Sequence, residues 1–129
     1  MVDTLVVDDL EEWFQLISLI LEAEGHRLTH AKNINDAQKY LEDSKYQLLI
    51  LDAFLPSLNW WELYCGTKAN SLTSKIKVVL TFPHVPHFVS DEGKNQIKSL
   101  MDNGDGIIIK PFTAQELISV ISKVLGHDG

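Results

Sequence analysis

Residues 47–56 read QLLILDAFLP, an unbroken apolar run that ends in Asp52, with a proline four residues later. A run from Leu48 to Leu51 without polar alternation is typical of a strand buried on both faces, as in the middle of a parallel sheet. Asp52 then lies at the carboxyl end of that strand, the edge at which open α/β sheets bind ligands. The run therefore makes Asp52 a candidate for chemistry. An aspartate that only begins a turn before Pro56 would leave the same pattern.

Four further segments with strand character alternate with helical segments along the chain. Predicted strands cover residues 5–7, 26–31, 47–52, 76–81 and 106–109, and predicted helices cover residues 11–24, 35–43, 61–69, 92–102 and 113–125. In the second helix, the spacing of Ala37, Tyr40 and Leu41 predicts that all three face the core. The last helix opens on a capping box, TAQE at residues 113–116. This alternation predicts an α/β fold with a doubly wound parallel sheet and helices on both of its faces.

Length, charge and cysteine content exclude several classes of protein. The 129 residues suffice for one domain, which we expect to span residues 1–129, and leave no room for a second. The formal net charge of −7 argues against direct nucleic-acid binding, which needs a basic face. Cys65 is the only cysteine, so no internal disulfide or C-x-x-C metal site can form. The N-terminal residues are acidic where a secretory signal is basic, and no apolar run reaches membrane-span length, so we expect a cytoplasmic protein with no membrane contact.

Polar side chains stand at the carboxyl ends of four predicted strands. Asp8 and Asp9 follow the first strand, Asp52 ends the third, Thr81 ends the fourth, and Lys110 follows the fifth. In a parallel sheet these ends meet at one edge, where three carboxylates would repel one another and raise each other's pKa unless they share a cation. Mg²⁺ suits such a site because it takes oxygen ligands, commonly one or two carboxylates together with phosphate oxygens. The lysine and the threonine hydroxyl could then help to neutralise a phosphoryl group passing to Asp52.

Each of these residues also has a plainer interpretation. Asp8 and Asp9 could simply cap the helix that follows them. Thr81 could be an ordinary strand residue, and Lys110 could be a solvated lysine in a turn before proline. The joint pattern favours a site, because four separate strand ends carry suitable side chains.

The sequence resembles the receiver domain of two-component response regulators over nearly its whole length. The matching segments are VVDDLEEW at the first strand, LLILDAFLP at the third, VVLT at the fourth and IIIKPF at the fifth. The resemblance implies a flavodoxin-like fold, in which five parallel strands have the order 2-1-3-4-5 and are covered by five helices. It also implies a cis peptide bond between Lys110 and Pro111.

The resemblance also implies a role for each residue of the set. Asp52 is then the phosphoacceptor, and Thr81 and Lys110 bind the phosphoryl group. The ligands of the Mg²⁺ cofactor are then the carboxylates of Asp8, Asp9 and Asp52 and the backbone carbonyl of Phe54. The implied partners are a histidine kinase or phosphotransfer protein and a downstream protein target. Such a receiver is not an enzyme with a separate substrate, although it assists its own phosphorylation and dephosphorylation.

Several positions depart from the family pattern. Asn59-Trp60 replaces the usual Asp-Gly in the loop after the third strand. Phe82 stands beside Thr81, where the family has a small residue that leaves the acceptor open, and it could hinder the donor or shield the phosphoaspartate. Ile107 replaces an aromatic residue that turns inward on activation in many receivers. Residues 82–90 (FPHVPHFVS) read as a loop that makes the interval before Lys110 longer than usual.

Two further patterns in the sequence carry weaker hypotheses. His84 and His87 have H-x-x-H spacing and could bind a transition metal, but two exposed histidines explain it as well. Trp60 and Trp61 could anchor a partner or pack over their own helix.

We predict a stand-alone phosphoacceptor, since the last helix runs almost to the end of the chain. One alternative is a constitutive interaction module with an altered or lost switch. Another is a phosphatase or phosphotransferase acting on small molecules, for which the sequence shows no substrate pocket.

Overall fold

A computed structural model of the chain describes residues 2–56, 58–83 and 90–126. Its elements, in chain order, are β1 (Asp3–Val7), α1 (Glu11–Ala23), β2 (Arg27–Ala31), α2 (Ile34–Leu41), β3 (Leu48–Asp52), α3 (Trp60–Ala69), β4 (Lys77–Phe82), α4 (Asp91–Asp102), β5 (Gly106–Ile109) and α5 (Ala114–Val124). Within the described residues, the predicted order of strands and helices is confirmed, with boundaries shifted by one or two residues.

The strands form one parallel sheet in the order β2-β1-β3-β4-β5. The predicted order 2-1-3-4-5 is therefore confirmed. All five residues of β3 are buried, as the unbroken apolar run predicts for a central strand. In the register of β3 with β4, Asp52 lies opposite Thr81. The chain after each strand consequently emerges at the same edge of the sheet.

Helices cover both faces of the sheet and enclose two apolar clusters. One cluster joins strand residues such as Leu49 and Leu80 to residues of α2, α3 and α4, including Tyr64 and Leu100. The other cluster joins residues such as Ile50 to α1 and α5. Because successive side chains on a strand point to opposite faces, β3 contributes to both clusters, and it is the middle strand of the five.

Local capping signals set the ends of several helices. The Thr113 side chain accepts a hydrogen bond from Glu116 N, and the Glu116 carboxylate accepts one from Thr113 N, so the predicted capping box is present. Asn59 caps α3 by accepting hydrogen bonds from the main-chain nitrogens of Trp61 and Glu62. Helix α3 therefore begins at a polar cap residue, although the loop before it lacks the Asp-Gly that is usual in the family.

Two sequence predictions need correction. β4 extends to Phe82, which is 4 % exposed and belongs to the sheet, so the predicted loop begins later. The prediction that Tyr40 faces the core is wrong, because its side chain is 36 % exposed while Ala37 and Leu41 are buried. Tyr40 lies about 100° around the helix from Leu41, at the edge of the buried stripe. His84 and His87 lie outside the described residues.

Helix length also bears on membrane contact. The longest described helix, α1, has 13 residues, and none of the described helices is long and apolar enough to cross a bilayer.

Candidate functional site

Main-chain hydrogen bonds continue the sheet one residue beyond several strand ends and hold the candidate residues in place. Asp8 N donates to Ala31 O at 3.1 Å, and Lys110 N donates to Phe82 O at 2.7 Å. Ala53 N donates to Thr81 O at 2.9 Å, immediately after Asp52. These main-chain hydrogen bonds therefore set the positions of the Cα atoms of the site residues, independently of any contact between their side chains.

The three predicted acids converge at this edge. One carboxylate oxygen from each of Asp8, Asp9 and Asp52 lies within 4.8 Å of the other two. Asp8 is 2 % exposed and Asp52 is 7 % exposed, whereas Asp9 is exposed to solvent. Carboxylate oxygens so grouped, with one open side, fit the donor set that Mg²⁺ prefers. We call Asp8, Asp9 and Asp52 the acid pocket.

Lys110 reaches into the acid pocket. Its Nζ lies 2.7 Å from Asp8 Oδ2 and 3.7 Å from Asp52 Oδ2, and the residue is 5 % exposed. The interpretation of Lys110 as a solvated turn lysine is therefore wrong. The peptide bond between Lys110 and Pro111 is cis, as the family resemblance implies.

The two buried carboxylates each divide their oxygens between two tasks. Asp8 Oδ1 accepts a hydrogen bond from Leu10 N, and Asp52 Oδ1 accepts one from Phe54 N, both at 2.9 Å. The Oδ2 atoms are the ones nearest to Lys110. Helix α1 begins after Leu10 without a side-chain cap, so neither Asp8 nor Asp9 is its N-cap residue. The interpretation of Asp52 as a residue that begins a turn applies to Oδ1, which binds the Phe54 N–H. The Oδ2 atom is not used in the turn and is available for chemistry.

Burial raises the pKa of Asp52 above the ordinary aspartate value and is the largest influence on it. The Phe54 N–H and the Lys110 charge oppose this shift, and the charges of Asp8 and Asp9 add to it as the smallest influences. The pKa of Asp52 therefore shifts in the predicted direction, but the predicted cause needs correction. Removal of the Asp52 carboxylate from water contributes more to the shift than repulsion by Asp8 and Asp9.

Thr81 contributes a hydroxyl that is not satisfied by the protein. The residue is 1 % exposed, and its Oγ1 finds no hydrogen-bond partner among the described residues. A buried hydroxyl without a partner is costly, and a ligand oxygen at this edge would supply one. Thr81 is an ordinary strand residue of β4, as one interpretation of the sequence predicted. Its hydroxyl is also free to bind a ligand, and the residue lies opposite Asp52 in the sheet.

Sequence analysis missed one residue of the site, Trp13. Lys110 Nζ lies over the indole ring of Trp13, 4.7 Å from the ring centroid, and the ring also contacts Phe112 at 5.4 Å. Helical periodicity assigns Trp13 to the inward face of α1 and says nothing about a contact with a lysine so distant in sequence. An aromatic residue in the first turn after an acidic pair was the only signal available.

Two phenylalanines adjoin residues of the site in sequence, since Phe54 follows Asp52 by two residues and Phe82 follows Thr81 directly. Phe54 is 57 % exposed, Phe82 is buried at the end of β4, and their rings meet edge to face at 5.9 Å. The main-chain nitrogen of Phe54 binds Asp52, whereas the Phe82 side chain belongs to the first apolar cluster. That Phe82 restricts access to Asp52 stays a prediction.

Trp60 and Trp61 pack against their own helix. Their rings meet at 5.6 Å, and Trp61 stacks on Tyr64 at 5.6 Å. Both side chains are partly buried against the first apolar cluster. This contact favours the packing interpretation over that of a free partner anchor.

Comparisons with known proteins agree with this fold. A model of the response regulator receiver domain matches residues 4–122. The chain belongs to the response regulator receiver domain family. Its structure is similar to the chemotaxis protein CheY4 of Vibrio cholerae, with a TM-score of 0.81 and 21 % identity over 96 % of this chain and 98 % of that one. It is also similar to a response regulator from Thermotoga maritima, with a TM-score of 0.79 and 23 % identity over 98 % of each chain.

Sequence relatives include longer proteins. The chain is 30 % identical over 125 residues to the phosphate regulon transcriptional regulatory protein PhoB of Pseudomonas aeruginosa, covering 97 % of this chain and 52 % of that protein. It is 31 % identical over 121 residues to a CpxR homologue of Haemophilus influenzae, covering 94 % of this chain and 49 % of that protein. The chain thus spans about half the length of these curated relatives.

Proposed function

We propose that this chain is the phosphoacceptor receiver of a two-component phosphorelay, in which Asp52 accepts a phosphoryl group from a histidine kinase or phosphotransfer protein. The observation that carries the proposal is the position of Asp52 Oδ2, at the end of the central strand and 3.7 Å from the Lys110 ammonium. The acid pocket and the unpartnered Thr81 hydroxyl lie at the same edge.

In the proposed reaction, Asp52 Oδ2 attacks the phosphorus of a phosphohistidine. A phosphorus–oxygen bond forms, the phosphorus–nitrogen bond breaks, and the imidazole leaves with the electron pair and takes a proton. The Phe54 N–H holds Asp52 Oδ1 and so orients the attacking oxygen. Lys110 supplies a positive charge and Thr81 a hydroxyl donor for the phosphoryl oxygens, since phosphoryl transfer is catalysed mostly by positioning and electrostatics.

The acid pocket supports Mg²⁺ as the cofactor of this reaction. Asp8, Asp9 and Asp52, with the backbone carbonyl of Phe54, would hold the ion, which neutralises phosphoryl charge when bound. The same residues would assist hydrolysis of the phosphoaspartate. In this proposal the chain assists its own phosphorylation and dephosphorylation and is not an enzyme with a separate substrate. Phosphorylation shifts a conformational equilibrium of the chain, and a protein target recognises the shifted state.

Intact mass spectrometry after incubation with Mg²⁺ and acetyl phosphate tests the proposal. We expect one phosphate on the wild-type chain and none on Asp52→Asn. Asp43→Asn is the matched control, because it removes the same charge at an exposed position and is expected to leave labelling unchanged. Phosphate on Asp52→Asn, or the same labelling of all three proteins, would contradict the assignment of Asp52.

The phenylalanine pair favours a second candidate, a constitutive interaction module with an altered or lost switch. Phe54 follows Asp52 by two residues, Phe82 follows Thr81, and their rings meet edge to face, so we infer that this ring pair can exclude a phosphodonor. If the wild-type chain binds Mg²⁺ but takes no phosphate, Phe82→Ala should restore labelling. A chain that neither binds Mg²⁺ nor takes phosphate in either form would support the interaction module.

A further inference from the structure

The Lys110 ammonium lies close to two acids and to one aromatic ring. Its Nζ atom is 2.7 Å from Asp8 Oδ2, 3.7 Å from Asp52 Oδ2 and 4.7 Å from the centroid of the Trp13 ring. The face of an indole ring attracts a cation at this distance, and tryptophan is the strongest side chain for this contact. Because Lys110 is 5 % exposed, water screens the contact little.

We propose that Trp13 is a positioning residue for Lys110, whose indole face keeps the ammonium beside the phosphoacceptor. The proposal deepens the function given above and rests on it. Trp13 belongs to the first turn of α1, and its contact with Phe112, two residues after Lys110, fixes the ring against the same segment that carries the lysine. Trp13 lies in α1 and Lys110 follows β5, so the two side chains are brought together only when the chain folds.

Competition for Asp8 explains why a ring is needed in addition to a carboxylate. Asp8 pairs with Lys110 at 2.7 Å, and it also belongs to the acid pocket that fits Mg²⁺. A carboxylate that serves a divalent ion attracts the lysine less. The indole face cannot replace an oxygen ligand of Mg²⁺, so it remains available to the ammonium in either state. Trp13 would therefore contact one cation, Lys110, whereas Asp8 would contact two.

A double-mutant cycle on the rate of labelling by acetyl phosphate tests this role at saturating Mg²⁺. We expect Trp13→Leu to slow labelling about three- to thirty-fold, and Trp13→Phe, which keeps a ring face, to slow it less. In the Lys110→Met background, Trp13→Leu should leave the residual rate unchanged. An equal loss in both backgrounds would mean that Trp13 only supports the fold, and unchanged labelling of Trp13→Leu would also overturn the proposal.

Tryptophan emission provides a readout that needs no phosphoryl transfer. In a protein with Trp60→Phe and Trp61→Phe, Trp13 is the only tryptophan, and we expect its emission to change when Mg²⁺ is added and when Lys110 is replaced by Met. The Mg²⁺ response should be lost in the Lys110→Met form. The matched control is Trp13→Phe with Trp60 and Trp61 retained, whose emission should not respond to Lys110→Met. If Lys110→Met leaves the emission of Trp13 unchanged, the proposed contact between the ring and the ammonium is wrong.

The two measurements separate failure of the inference from failure of the proposed function. If the wild-type chain takes no phosphate but Trp13 emission responds to Lys110, the phosphoacceptor proposal fails and the ring contact stands. If labelling proceeds and neither labelling nor emission depends on the Trp13–Lys110 pair, the inference fails and the phosphoacceptor proposal stands.

Discussion

At the scale of single residues, the two oxygens of each buried carboxylate have different partners, and a substitution can remove one contact while keeping the other. Asp52 Oδ1 holds the Phe54 N–H, and Oδ2 faces Lys110. An asparagine at position 52 could keep the first contact through its amide oxygen while losing the negative charge. Asp52→Asn therefore separates the charge of this residue from its part in the loop.

We expect Asp52→Asn to stabilise the metal-free chain at pH 7 by about 0.5–2 kcal/mol, the usual range for a stabilising substitution. Burial raises the pKa of Asp52 in the folded state, so the ionised carboxylate costs more there than in the unfolded chain. Lys110 keeps its ion pair with Asp8 in the variant, so no buried cation is stranded. Urea unfolding of wild type and variant measures the difference, with exposed Asp43→Asn as the charge-matched control.

The pH dependence of this difference follows from the direction of the shift. Below the unfolded value of 3.8 the carboxyl is protonated in both states, so wild type and Asp52→Asn should have similar stability. As pH rises from there through the raised folded pKa, the wild type loses stability relative to the variant, and above it the difference levels off. Mg²⁺ should then favour the wild type, because the variant has one carboxylate fewer to bind it. A difference that shrinks as pH rises would contradict this account.

At the scale of elements, the two ends of the sheet are built differently. At the amino ends of β4 and β5, the buried Asp105 accepts hydrogen bonds from Val78 N at 2.8 Å and from the Tyr64 hydroxyl at 2.6 Å. Lys68 lies 3.2 Å from the same carboxylate. Burial, followed by the bond to Asp105, raises the pKa of Tyr64. This network joins α3 to the sheet and binds the Asp105 carboxylate within the protein, whereas Thr81 Oγ1 at the carboxyl end has no hydrogen-bond partner among the described residues.

Close packing between β5 and α5 can be tested with a pair of glycines. A Cβ at Gly106 would lie 2.9 Å from Val124 Cγ1 and 3.2 Å from Val120 Cγ1, so Gly106→Ala should push α5 away from β5 and cost about 1–3 kcal/mol. Gly66, inside α3, has nothing within 4 Å of the same added atom. Gly66→Ala should therefore stabilise the chain by about 0.5–1 kcal/mol through helix propensity.

Urea unfolding of both variants checks this prediction, because the two substitutions add the same methyl group and should have opposite signs. Equal effects at the two positions would show that the contact of Gly106 with α5 does not control the packing.

At the scale of the whole molecule, net charge bears on nucleic-acid binding. With a formal charge of −7, the chain lacks the excess of basic residues that releases counterions from DNA. We expect no change in the fluorescence anisotropy of a labelled DNA duplex at protein concentrations up to roughly 100 μM, the weak limit of ordinary non-specific binding. A rise in anisotropy that salt abolishes would contradict this expectation and would point to a local basic surface.

The sequence by itself determined the order of the elements, the buried central strand and the meeting of Asp8, Asp9, Asp52, Thr81 and Lys110 at one edge. These features depend on local periodicity and on the general rule that crossovers return strands in parallel. Local chemistry also sufficed for the capping box at Thr113, since its two partners are three residues apart.

Only the tertiary structure decided how these side chains use one another. It brought Lys110 within 2.7 Å of Asp8, 102 residues earlier, buried both, and laid the Trp13 ring beside the ammonium. It also made burial, and not repulsion, the main cause of the raised pKa of Asp52. Such contacts depend on how distant elements pack and how much water they exclude, and no periodic pattern in a sequence records either quantity.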